Sequence, residues 1–172
     1  MGENNEKCLV IYFSRADENY FDGELRTTEK GNTEILAEYI RDLTGADLFK
    51  VERKEPYPSG YKACCDESLD EKKQNARPEL VKELDNIDEY TKIYVGYPIY
   101  WGTMPMPMFT QLEKLNWEGK SVKCFCTHEG SGIASSKKDL EKICKGAAVL
   151  SGIAILGHTV KDAKKQIEDW VQ

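Results

Sequence analysis

No run of apolar residues in this 172-residue chain is long enough to cross a bilayer. Its opening, MGENNEKCLVIYF, has neither a basic leader nor a cleavage site, and Glu6 stands where an acylation signal wants Ser or Thr. A cytoplasmic protein with no membrane partner is expected. Basic residues are outnumbered, 24 Lys and Arg against 30 Asp and Glu, for a net charge of −6. Phosphate neutralisation needs a basic surface, so nucleic acid is not an expected partner, whereas an acidic chain suits docking on a basic patch of another protein. There is no GxxxxGK(S/T) and no GxGxxG, which removes the usual loops for nucleoside triphosphates and dinucleotides. The six cysteines contain no CxxC, so neither a zinc ribbon nor a dithiol redox pair is indicated. Cys8, Cys124 and Cys126 stand in apolar runs as small hydrophobes, and no metal ligands are singled out.

What is present is a regular alternation. KCLVIYF (7–13) is a near-continuous apolar run, as in a strand covered on both faces. NTEILAEYIRDL (32–43) places Ile35, Leu36, Tyr39, Ile40 and Leu43 at helical spacing, and Gly45 ends it. DLFKVER (47–53), KIYVGY (92–97) and SVKCFCT (121–127) read as strands, with a short helix, PMFTQLEKL (107–115), between the last two. KKDLEKIC (137–144) is the next helix and AAVLSGIAILG (147–157) the last strand. TVKDAKKQIEDWV (159–171) closes the chain as an amphipathic helix opened by a Thr159-x-x-Asp162 capping box. Residues 59–76 read as a charged surface helix, and 77–90 as a short helix or an extended crossover. No repeat or linker marks a boundary, so residues 1–172 form one domain. Strands alternating with helices predict an α/β fold, a three-layer α/β/α sandwich around a five-stranded parallel sheet. Such sheets bind ligands beyond the carboxyl ends of their strands.

Three strand ends then matter. The first runs into Ser14-Arg15, and the first helix opens with KGNT. Gly31 permits close backbone approach, and Asn32 and Thr33 are expected to cap the helix and turn donors toward an anion; the plainer reading is a helix cap alone. The third runs into YPIYWGTMPMP (97–107), where Pro98, Ile99, Tyr100, Trp101 and Gly102 set two flat rings on a rigid loop. The fourth ends in THEGSG, where Gly130 and Gly132 free the backbone around Glu129 and Ser131. A ligand with a phosphate and a planar heteroaromatic ring suits all three, and flavin mononucleotide (FMN) is such a ligand. His128 is either an acid–base group beside that ring or a solvated loop residue. His158 reads as structural, and Trp117 and Trp170 as packing.

With YFSR…GNT, G-x-P-I-x-W-G-x-x-P-x-P and TH-x-GSG in this order, the chain resembles the flavodoxin family over nearly its whole length. The resemblance implies the strand order 2-1-3-4-5 and FMN as cofactor. It implies Ser14, Arg15, Gly31, Asn32 and Thr33 at the phosphate. Pro98, Ile99, Tyr100, Trp101 and Gly102 would lie on one side of the isoalloxazine, with Thr127, Glu129, Gly130, Ser131 and Gly132 on its other side or edge. It further implies electron transfer with a redox partner protein, a reductase or oxidase; a small FMN-dependent NAD(P)H- or quinone-type oxidoreductase is the other reading. The family's phosphate motif is compact, whereas ADENYFDGELRTTEK (16–30) here separates Ser14-Arg15 from Gly31. That insert is expected to loop out, with Tyr20 and Phe21 acting as a lid or packing locally.

Overall fold

The first apolar run becomes β1 (Cys8–Tyr12), and Leu9, Val10 and Ile11 in it are almost fully buried, as a strand covered on both faces requires. In the computed structural model, which describes residues 6–172, β1 pairs in parallel with β4 (Asp47–Lys50) and with β5 (Lys92–Pro98). β6 (Ser121–His128) follows β5, and the far edge is made of two short pieces, β7 (Ala148–Val149) and β8 (Ile153–Leu156). The order β4-β1-β5-β6-β7 is the 2-1-3-4-5 pattern of a flavodoxin-like sheet. The last strand, expected unbroken over 147–157, is interrupted around Gly152. There the backbone passes so close to Cys124 that a Cβ would lie 2.6 Å from its Sγ.

Two hydrophobic layers hold the helices to the sheet. α1 (Asn32–Thr44) and α5 (Lys164–Val171) cover one face through Leu36, Ile40 and Ile167 against Val10, Tyr94 and Phe125. On the other face, α2 (Tyr61–Lys73), α3 (Met106–Leu112) and α4 (Ser136–Ile143) bury Cys64, Met108, Leu112 and Leu140 against Ile11, Val95 and Cys124. Each such side chain contributes about 1.5–3 kcal/mol by leaving water. Gly96 is fixed by its neighbour: a Cβ there would lie 2.0 Å from the Phe125 ring, which fills the space instead.

Two local expectations are corrected, and one open alternative is decided. The Thr159-x-x-Asp162 box does not open the last helix. Gly157–Asp162 forms a 3-10 turn in which the Thr159 hydroxyl donates back to the Leu156 carbonyl at 2.8 Å, and α5 starts only at Lys164. Residues 77–90 are extended rather than helical, with an antiparallel bridge between Arg53 and Leu80. The insert at 16–30 is not a loose loop but an antiparallel hairpin of β2 (Asp17–Phe21) and β3 (Glu24–Thr28). Asp22 and Gly23 turn it, both with positive φ (44° and 95°), as a two-residue type I′ turn requires. Among the described residues, no helix is long and apolar enough to cross a membrane.

Candidate functional site

The cleft lies where β1, β5 and β6 end. Gly31 precedes the first turn of α1 and sits against the end of β1: a Cβ on it would lie 2.3 Å from Ser14 Oγ and 2.6 Å from the Arg15 carbonyl oxygen. The two halves of the interrupted motif therefore meet despite the insert. The capping arrangement differs from expectation. Asn32 and Thr33 are the first two helical residues, not the cap, and the capping oxygen comes from Ser14, whose Oγ accepts the Glu34 amide at 3.0 Å. Thr33 is buried and shares a 2.9 Å hydrogen bond with Thr127 Oγ1, which ties the start of α1 to the end of β6. The amides of Asn32 and Thr33 have no acceptor within the helix and mark its positive end.

Arg15 points elsewhere. Its guanidinium donates to the carbonyls of Glu18 (2.6 Å), Pro58 (2.9 Å) and Ser59 (2.7 Å) and to Asn19 Oδ1 (3.0 Å), so it fastens the hairpin to the loop before α2. Glu18 completes that junction: its carboxylate accepts the Tyr61 amide at 2.9 Å, at the first residue of α2, and its own amide donates to Ser59 O. Tyr20 stacks on Tyr61, with ring centroids 6.2 Å apart and planes 27° off parallel. Burial, with Cys65 alongside, pushes the Tyr61 hydroxyl up to about 12. At the far end of β2 the Asp22 amide donates to Glu129 Oε2 (3.3 Å). β2 thus runs across the top of the cleft, from the start of α2 to the end of β6.

The aromatic loop divides its two rings. Tyr100, Trp101, Gly102 and Thr103 form a tight turn with positive φ at Trp101 (55°) and Gly102 (84°), closed by reciprocal hydrogen bonds between Tyr100 and Thr103. Tyr100 turns inward, edge-on to Phe13 and Tyr57, with its hydroxyl 3.9 Å from Cys64 Sγ. Burial raises the pKa of both groups. Trp101 turns outward and is 44% exposed. Its indole nitrogen donates to Cys65 O and Ser68 Oγ on α2, and Lys72 holds its carbonyl. The Gly102 carbonyl is held by the Ser135 amide (3.0 Å) and hydroxyl (2.8 Å).

After β6 the chain wraps round its own histidine. His128 Nδ1 accepts the amides of Gly130 (2.9 Å) and Gly132 (3.0 Å), and burial lowers its pKa against an opposing pull from Glu129. Glu129 bends back to His158 Nδ1 at 2.7 Å, and that hydrogen bond raises the His158 pKa. The other Glu129 oxygen is buried without a partner. It faces Gly157, where a Cβ would come within 2.7 Å of it and 2.6 Å of Asn32 Nδ2.

Of the residues singled out from sequence, Ser14, Arg15, Asn32, Thr33, Pro98, Ile99, Tyr100, Thr127 and Glu129 border one cleft. Gly31 supports it from below. Trp101 borders the adjoining hollow beside α2, and Gly102, Gly130, Ser131 and Gly132 line neither. Asn19, Tyr61 and Gly157 also line the cleft and escaped the sequence reading. The Asp22-Gly23 pair was the available signal for the hairpin that brings Asn19 there.

A family model described as flavodoxin matches residues 25–172. The chain belongs to the flavodoxin family. The family match starts within β3, so Ser14, Arg15 and β2 lie before it. Among solved structures, a Bacteroides uniformis protein with a provisional flavoprotein designation is 23% identical, with 96% of this chain and 97% of that one covered and a TM-score of 0.74. One from Bacteroides eggerthii, likewise provisional, is 26% identical, with 97% and 96% covered and a TM-score of 0.73. A Lactobacillus acidophilus flavoprotein, solved in complex with FMN, is 22% identical, with 97% and 99% covered and a TM-score of 0.64. A search of curated proteins gave no match.

Proposed function

We propose that this flavodoxin-family chain binds FMN in the cleft and transfers electrons to or from a protein partner. The observation that carries the reading is the meeting of Ser14, Gly31 and the first amides of α1 with the ends of β5 and β6. The residues fit the group. The open amides of Asn32 and Thr33, at a helix N-terminus, suit a phosphate. Gly31 lets Ser14 pack against the helix start, Gly157 lines the cleft beside it, and the unpartnered Glu129 oxygen calls for a hydroxyl donor such as the ribityl chain carries. Pro98, Ile99 and Tyr100 offer an apolar wall for the ring. The Lactobacillus acidophilus relative was solved with FMN, which supports the assignment.

Bound FMN supplies one-electron and hydride chemistry. The chain's part is to hold and to shield. Ser14 caps the α1 terminus by satisfying Glu34, Thr33 and Thr127 lock the start of α1 to the end of β6, and the hairpin shields the cleft from above. The test is a titration of the apoprotein with FMN and with riboflavin. FMN should bind at least about tenfold more tightly, since a phosphate at a helix terminus makes several charge-assisted hydrogen bonds. Ser14→Ala should narrow that preference. Equal affinities in the native protein would remove the phosphate site.

One observation favours the enzyme reading: β2 spans the cleft and roofs it, as a small-molecule compartment would need. Anaerobic mixing of the FMN form with NADH or NADPH separates the two. Slow bleaching by either nucleotide alone is the outcome expected of a carrier; complete bleaching within seconds would make the chain a small FMN-dependent oxidoreductase.

A further inference from the structure

The function proposed above gives His128 no task, yet the loop after β6 is built around it. Its Nδ1 accepts two backbone amides at once, from Gly130 at 2.9 Å and Gly132 at 3.0 Å. Both glycines have positive φ, 143° and 64°, conformations that other residues rarely adopt, so the chain curls tightly enough to aim two N–H groups at one ring nitrogen. An atom that accepts two N–H groups carries no proton. The ring is therefore neutral with its hydrogen on Nε2, and this tautomer follows from the bonding rather than from any assumed pH. His128 also borders the cleft, so the ring that shapes the loop stands at the ligand's side.

We propose that His128 is a positioning residue: its unprotonated Nδ1 folds residues 129–132 into the shape that flanks the flavin, and its Nε2–H serves as a fixed neutral donor at the cleft. The donor half rests on FMN being the ligand; the loop half does not. Protonation at Nδ1 would place a hydrogen against two others and release both glycine amides. The loop should therefore loosen as pH falls, and flavin affinity with it.

The neighbours bear on the sign. Arg15 from the end of β1, Tyr20 from the hairpin, Tyr61 from α2, Tyr100 from the turn after β5 and Glu129 from its own loop share the cleft with His128. Arg15 is the cation among them, and its charge is spent on four acceptors around the hairpin. Glu129 is the anion and favours the protonated ring, but its carboxylate is turned to His158 and the Asp22 amide. Burial outweighs that pull and favours the neutral ring.

Asparagine and glutamine divide the two jobs. His128→Asn keeps an acceptor near the position of Nδ1 and loses the Nε2 donor. His128→Gln reaches toward the position of Nε2 and loses the acceptor. In the apoprotein, nitrogen-resolved NMR should show His128 as the Nε2–H tautomer, and the Gly130 and Gly132 amide signals should move with its titration. Those signals should stay native-like in His128→Asn, without the pH dependence, and collapse toward exposed-loop values in His128→Gln. FMN titrations should then show affinity falling with pH in the native protein and a flat profile in His128→Asn at roughly tenfold weaker binding. His128→Gln should bind more weakly than either. An Nδ1–H tautomer, or glycine signals indifferent to both substitutions, would overturn the loop role whether or not flavin binds. Native-like FMN affinity in His128→Asn would overturn the donor role, and a native affinity that ignores the His128 titration would overturn the loop's hold on the flavin. Failure of the native protein to take up any FMN would instead strike the proposed function, and the NMR result would still decide the loop.

Discussion

Gly31 shows how much rests on one missing atom. A methyl group there would meet Ser14 Oγ at 2.3 Å and the Arg15 carbonyl oxygen at 2.6 Å. Ser14 can rotate away only by abandoning the Glu34 amide, and the Arg15 carbonyl is backbone, so neither yields cheaply. Gly31→Ala should destabilise the fold by about 1–3 kcal/mol, the usual range for overpacking, as read from urea unfolding midpoints at constant slope. Gly102→Ala makes a useful contrast, because nothing lies within 4 Å of a Cβ there and only the positive φ of 84° resists it. The residue types at this end of the molecule were legible; their bonding was not. Asn32 and Thr33 read as caps because capping residues usually stand immediately before the helix they serve. The actual oxygen comes from Ser14, twenty residues upstream, and only the folded chain brings it there. Trp101 is a similar case: a tight turn sends adjacent side chains apart, and the sequence names both rings without saying which one faces inward.

The element that departs most from expectation is the β2–β3 hairpin. Its strands, DENYF and ELRTT, are largely exposed, so they lack the apolar run that made β1, β5 and β6 easy to read. A hairpin held by its ends rather than by its faces leaves little hydrophobic trace. One end is fastened by Arg15 and Glu18 at the start of α2, and the other by Glu129, which His158 holds in turn. The second fastening should respond to pH. The Glu129 bond raises the His158 pKa above its ordinary value of about 6.5, so the folded form binds the proton more tightly than the unfolded one. Its contribution is complete below the ordinary value and is lost as pH rises through the raised one. The melting temperatures of the native protein and His158→Gln should therefore differ most below the ordinary histidine value of about 6.5 and converge as pH rises through the raised one. A gap that widens with pH would mean that the pair is not ionic. The failed Thr159 capping box has a comparable cause: the residues fit the pattern, but a 3-10 turn consumed the hydroxyl first.

At the scale of the molecule, the order of the parallel sheet followed from the resemblance, and the layers from four apolar runs separated by amphipathic stretches; the edge strand broken at Gly152 was hidden by close packing against Cys124. The net charge of −6 belongs to this scale as well. If encounters with a basic reductase are steered by that charge, the second-order rate of flavin reduction should fall several-fold between about 0.01 M and 0.15 M salt, as the screening length shortens from about 30 Å to about 8 Å. A rate indifferent to salt would remove charge as the docking force. The hairpin also affects the clock of the molecule. If a guest beneath β2 passes only when its fastenings at α2 and Glu129 let go, arrival and departure share one opening. Loosening one fastening would speed both by a common factor and leave the equilibrium constant untouched. The residence time of such a guest would then be a property of the roof, and its affinity a property of the floor.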